Sequence, residues 1–210
     1  MRRRRRKRAA PPAVARSGSP RLRPLADVLA LPRRSPISTE LARALAAADA
    51  FHLLRTDLEP VPVRPTATMS QAGAYRSRAG DPVDLRVSRS HGRIPLSFLH
   101  ELGHFVDHQH DWRLGPALRR AAGRAPSRAP AAASAYHRRY FDSAREVWAR
   151  AYAQTVLACS PDPWLLEQLR MLVEREDPFV WSAEELAPLA AGVEAVLAEL
   201  ELLRRTAAAA

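Results

Sequence analysis

His100-Glu101-Leu102-Gly103-His104 has the residue types and the spacing for metal-assisted hydrolysis. On an α-helix, residues four apart stand one above the other on the same face. His100 and His104 therefore offer two imidazoles that can grip one tetrahedral zinc ion from one side. Glu101, next to the first imidazole, can reach a water at the ion's open position and act as its base. Four of the seven histidines fall between residues 100 and 110, which a plain surface helix does not account for.

A catalytic zinc needs a third protein ligand, and three side chains compete. Glu146 belongs to the next long helical stretch, from where a carboxylate can approach in a direction the first helix cannot supply. His110 would complete a pattern in which Asp107 replaces the glycine that breaks the helix, and Asp adopts the left-handed conformation less readily. His108 continues the four-residue series, but three imidazoles on one straight helix do not converge on one ion. Glu146 is preferred and His110 is the rival.

The elements that must hold these residues can be read from periodicity. Leu99, Leu102 and Val106 give the motif helix an apolar face from about Pro95 to His108, with Pro95 suited to its first turn. Gly103 costs about 1 kcal/mol of helix propensity against Ala, so its expected use is close packing against a neighbour. Upstream, Val83, Leu85 and Val87 alternate with polar residues as a strand, Ala72–Arg76 is a weaker strand, and Ala79-Gly80-Asp81-Pro82 turns between them. His91 lies in the loop before the motif helix, where it is expected to be exposed or to face a substrate. Ser38 starts an earlier helix that includes His52, and the proline-rich stretch 59–65 is expected to be a connector. Residues 111–135 are expected to be a loop with a short helix. Helices follow from about Asp142 to Cys159 and from Pro163 to Arg175. The capping box of Ser182 and Glu185 opens a last helix whose apolar stripe is expected to be core.

Charge is unevenly distributed. Residues 1–34 hold 12 basic side chains and one acid, whereas the rest of the chain holds 21 of each. Residues 1–36 are expected to be a disordered Arg-rich arm, and 37–206 the folded domain. Such an arm can touch nucleic acid or an acidic partner through residues 1–34. The single cysteine, Cys159, allows no internal disulfide and is expected at or near the core. No apolar run is long enough for a membrane span, and a cytoplasmic location is the default expectation.

Two segments carry a family resemblance. Leu99-His-Glu-Leu-Gly-His-Phe-Val-Asp-His108, followed by Ser143-Ala-Arg-Glu146-Val-Trp-Ala-Arg-Ala-Tyr-Ala153, resembles the gluzincin class of zinc peptidases. It is similar above all to small gluzincin-like domains of phage and mobile-element proteins, whose second motif reads roughly Ser-x-x-Glu-x-Phe-Ala-Arg-Ala. ImmA/IrrE-type peptidases, with a shorter gap between motifs, are a more distant match. The resemblance spans about residues 70–157. It implies Zn2+ held by His100, His104 and Glu146, Glu101 as base, and Trp148 in the aromatic position. One departure stands out. Thermolysin-like gluzincins orient the first histidine with an Asp four residues after the ligand Glu, and here that position is Arg150. Asp107 and Asp142 are the acids at hand for such a role, and Arg150 is expected to pair with an acid.

The resemblance implies an α+β, zincin-like fold: a small antiparallel sheet packed on the H-E-x-x-H helix, then a mostly helical C-terminal half. It implies a zinc-dependent metallopeptidase hydrolysing peptide bonds in a peptide or protein substrate by Glu-assisted attack of zinc-bound water. The substrate would lie as an added strand along the Val83–Val87 strand or its neighbour. Tyr136, His137, Tyr140 and Tyr152 are candidate donors to the oxyanion. The alternative is a catalytically silent, zinc-stabilised binding module that uses the basic arm.

Overall fold

Fourteen short elements follow one another in the computed structural model, which describes residues 20–67, 71–130 and 132–204. They are β1 (Arg21–Arg23), α1 (Leu25–Val28), β2 (Leu29–Ala30), α2 (Ser38–Phe51), β3 (Leu54–Thr56), β4 (Val61–Thr66), β5 (Gly73–Arg78) and β6 (Asp81–Ser88). Then come α3 (Ile94–Gln109), α4 (Leu114–Ala122), α5 (Ala135–Phe141), α6 (Ala144–Ala158), α7 (Pro163–Glu174) and α8 (Ala183–Glu199). The class is α+β, with the described residues after Ser88 helical or in connections apart from a single antiparallel bridge at Leu203.

The sheet is mixed rather than purely antiparallel. Its order is β2-β4-β6-β5, with β2 parallel to β4, β4 parallel to β6, and only β5–β6 an antiparallel hairpin. β4 is a strand where a connector was expected. Pro65 is tolerated because β2 pairs only with Val61 and Pro62, leaving the edge beside Pro65 without a ladder to break. β5 is therefore an edge strand. Val63, Leu85 and Val87 bury on the inner face, while Val83, at 37% exposure, lies past the edge of the core. On the other face Asp84 is buried among Arg64, Arg76 and Arg86.

The folded body begins before residue 37. β1 pairs with β3, and Leu25, Val28 and Leu29 are buried in the core, so residues 21–36 do not belong to a disordered arm. Burial of three aliphatic side chains, about 1.5–3 kcal/mol each, outweighs the Pro- and Arg-rich composition. The remainder of the expected arm, residues 1–19, lies outside the described residues, as do 205 and 206 at the far end of the expected domain.

The helices start where their caps dictate. Ser143 accepts the backbone N–H of Glu146, Asp162 that of Trp164, and Ser182 and Glu185 close a capping box. α3 lies against the inner sheet face, against α2 and across α6, while α4, α7 and α8 pack behind α6. At the α3–α6 crossing a Cβ on Gly103 would lie 2.9 Å from the Ala149 Cα, which is the close packing the glycine foretold. The α8 stripe of Leu186, Leu189, Val193, Val196 and Leu197 is core. Cys159, at the end of α6, is exposed rather than buried. α5, which buries none of its residues, was not foreseen. Among the described residues no helix is long and apolar enough to cross a membrane.

Candidate metal centre

His100 and His104 stand one turn apart on α3, and Glu146 enters from the first turn of α6. The two imidazole Nε2 atoms are 3.1 Å apart. Glu146 places Oε2 3.4 Å from His100 Nε2 and Oε1 3.2 Å from His104 Nε2. Zinc–ligand bonds of about 2.0–2.1 Å put the corners of a tetrahedron about 3.3 Å apart, so these three groups fit one zinc ion. Trp148 fixes the crossing that sets this spacing: its indole N–H donates to the Gly103 carbonyl at 3.0 Å and its ring stacks on Tyr152. The N-terminal end of α6 also favours a carboxylate at Glu146.

Burial alone would raise the Glu146 pKa, but hydrogen bonds from both imidazoles reverse this and hold it well below the usual carboxylate range. Burial would lower His104, and the neighbouring carboxylates, Glu146 first, raise it instead. Glu101 is buried, and desolvation lifts it above the usual carboxylate range although both imidazoles pull it down. Its Oε2 accepts the Tyr75 backbone N–H at 2.6 Å. β5 comes this close because residue 73 is glycine: a Cβ there would sit 2.6 Å from both Cγ and Oε1 of Glu101.

The rival ligands point elsewhere. α3 runs straight through Asp107 to Gln109, and the left-handed residues are Asp111 and Trp112 instead. His110 consequently falls outside the cluster. His108 Nδ1 bonds the Tyr75 hydroxyl at 2.6 Å. Neither proposed orienting acid reaches His100 or His104: Asp107 accepts the Leu114 backbone N–H, and Asp142 accepts the Ser127 hydroxyl. Among the described residues Arg150 forms no ion pair with an acid. It is buried between the rings of Phe141 and Trp181 and donates to the carbonyls of Phe141 and Glu146, and burial brings it down to about 10.

A cavity of about 770 Å³ opens beside the trio. Its walls include β5, His91, Trp112, Tyr140 and Arg145. Of the candidate donors, only Tyr140 lines it. Burial raises its hydroxyl pKa, and a hydrogen bond to Glu146 adds to the rise. Tyr152 is fully buried and donates to His52, while Tyr136 and His137 lie outside the cavity wall. His91 lines the cavity, and its buried Nδ1 has no hydrogen-bond partner among the described residues. Sequence reasoning passed over Gly73, Tyr75, Trp112 and Arg145. A glycine within a strand pattern signals close approach of another group and was the one available sign. Comparisons with protein-family models, with curated proteins and with solved structures give no match.

Proposed function

We propose that this chain is a zinc-dependent peptidase. The supporting observation is the convergence of His100, His104 and Glu146 within 4.8 Å, with Glu101 alongside and a cavity on the remaining side. Bound there, zinc would acidify a water and polarise a carbonyl. Glu101, steadied by the Tyr75 N–H, takes the water's proton and delivers it to the leaving amine. The Tyr140 hydroxyl donates to the oxygen of the attacked carbonyl. The edge strand β5 offers its backbone to an extended peptide. A purely structural zinc would fill its fourth position with protein, and among the described residues no fourth ligand joins the trio. That favours hydrolysis over a silent module.

The test pairs metal content with turnover. Wild type should bind one zinc and cleave members of a mixed peptide pool read by mass spectrometry. Glu146→Ala should lose zinc and His110→Ala should keep it. Glu101→Gln should keep zinc and lose about 10²–10⁴-fold in turnover. Zinc retained at full affinity by Glu146→Ala, or undiminished turnover in Glu101→Gln, would overturn the assignment.

A further inference from the structure

We infer that Arg145 gives the metal cleft a preference for peptides with an acidic side chain close to the bond that is cut. The inference rests on the peptidase reading and adds a substrate class to it. The cleft follows α3 from Leu96 and Ser97 through His100 to His104, so its two ends can be told apart. Arg93, just before α3, marks the first end. It is paired with Asp177 and lies on the Phe179 ring, so its charge is already balanced. The other end lies past His104. There the Trp112 ring sits 5.0 Å from the His108 ring and 6.4 Å from the Tyr75 ring. The Arg145 guanidinium lies over the same indole, 4.1 Å from the ring centroid.

Arg145 is exposed in the cleft wall and forms no ion pair among the described residues. The two acids that line the cleft, Glu101 and Glu146, are the proposed base and metal ligand. Asp107 feels the Arg145 charge, but it is wholly buried and accepts the Leu114 N–H. The chain takes an unusual course to put the indole here. Asp111 and Trp112 have φ of 54° and 60°, a left-handed backbone that a bulky residue seldom adopts. Such outliers gather at ligand-binding sites, and Trp112 stays only half-buried in return. A guanidinium resting on an indole is held in place and can still offer its N–H fork to a carboxylate. Less freedom is then lost when the carboxylate arrives. β5 continues from Tyr75 to Arg78, so a peptide paired along it runs past Arg145 instead of ending there. A side-chain carboxylate fits that place, and a C-terminal one does not.

The experiment uses the full zinc-loaded chain and a mixed peptide pool amidated at its C-termini, read by mass spectrometry. Wild type should favour Asp or Glu over Asn or Gln by about tenfold at one position near the cut, the low end for a hydrogen bond to a charged group. Arg145→Ala should bring that ratio close to one, and Arg145→Glu should turn the preference toward Lys and Arg. Arg145→Lys, without the fork, should keep only part of the ratio, and it keeps the test decisive should Arg145→Ala fail to fold. In parallel, zinc-loaded Glu101→Gln captures uncut members of the pool. Those retained should be enriched in Asp and Glu, and the enrichment should vanish when Arg145→Ala is added. Cleavage without an acidic preference, or a preference unmoved by all three Arg145 variants, would overturn the proposal and leave the peptidase reading standing. Enriched capture that survives Arg145→Ala, or a preference seen only with free C-termini, would also overturn it. Arg145-dependent capture with no cleavage by wild type would sink the peptidase reading instead. Neither capture nor cleavage would overturn both.

Discussion

Gly73→Ala should disable the proposed base without touching a metal ligand. A Cβ at residue 73 would meet Cγ and Oε1 of Glu101 at 2.6 Å. Ordinary contacts between such atoms begin near 3.5 Å, so the Glu101 side chain must retreat by about 1 Å. It cannot slide along β5, because Oε2 is held by the Tyr75 N–H of the same strand. A displacement of that size at a reacting group costs about 10²-fold in rate. Stability should fall by about 0.5–2.5 kcal/mol if that hydrogen bond breaks. Ala gains about 0.5–1 kcal/mol over Gly in a strand, against about 1.5–3 kcal/mol if the charged hydrogen bond is lost. The assay compares zinc stoichiometry, peptide-pool turnover and urea denaturation for wild type, Gly73→Ala and Glu101→Gln. Full zinc content with turnover reduced about 10²-fold is expected. Turnover within threefold of wild type would refute the idea that Gly73 exists to seat Glu101, and lost zinc would mean the contact positions the ligands instead.

Other outcomes follow from buried groups and from the trio. His52 is wholly buried, with Nδ1–H donating to the Leu53 carbonyl and Nε2 accepting from Tyr152, and desolvation brings its pKa to about 4. The unfolded chain takes up this proton below about pH 6.5 and the folded chain only near 4. Stability is therefore full above 6.5 and falls as pH drops, by up to about 3 kcal/mol. Thermal melts of His52→Gln should show a shallower decline over that interval, and an equally steep one would exclude this histidine. Arg150→Ala should cost about 3 kcal/mol through lost packing between Phe141 and Trp181, and Arg150→Met under about 1.5 kcal/mol; equal losses in urea would show that charge rather than bulk fastens α5. Free zinc at about 100 times Kd should stabilise wild type by about 2.7 kcal/mol and leave Glu146→Ala unmoved. A similar gain in that variant would mean that zinc binds elsewhere.

The site was more legible than the fold around it. His100, His104 and Glu101 could be placed because the four-residue spacing acts through one helix, independent of tertiary context. Glu146 was legible because Ser143 caps its helix and a second motif surrounds it. That His110 lies outside the cluster follows from the course of the chain: α3 continues through Asp107, and sequence does not dictate where a helix lets go. β4 was hidden by its prolines, which mark a connector unless one knows that Pro65 falls outside its pairing with β2. The start of the fold was hidden because Leu25, Val28 and Leu29 lie in elements of two to four residues, too short to show a period. α5 left no signal because it buries nothing. Arg150 looked like a surface ion pair because spacing says nothing about which rings will close over a guanidinium.

Asp49, near the end of α2, accepts the Leu25 backbone N–H at 2.7 Å and approaches the Arg204 guanidinium at 3.5 Å. Beside it, Leu53 N–H bonds the Leu202 carbonyl and Arg204 N–H the Phe51 carbonyl. One carboxylate thus clasps both ends of the described chain. During synthesis the candidate metal-binding set is complete once Glu146 has left the ribosome, but the clasp stays open until Leu202 and Arg204 emerge. For that interval α2 has an unfinished flank, and its wholly buried His52 lacks the Leu203 bridge that later covers it. A nascent chain stalled after α7 would carry all three candidate ligands and still lack the contact that locks Leu25 to Arg204 through Asp49.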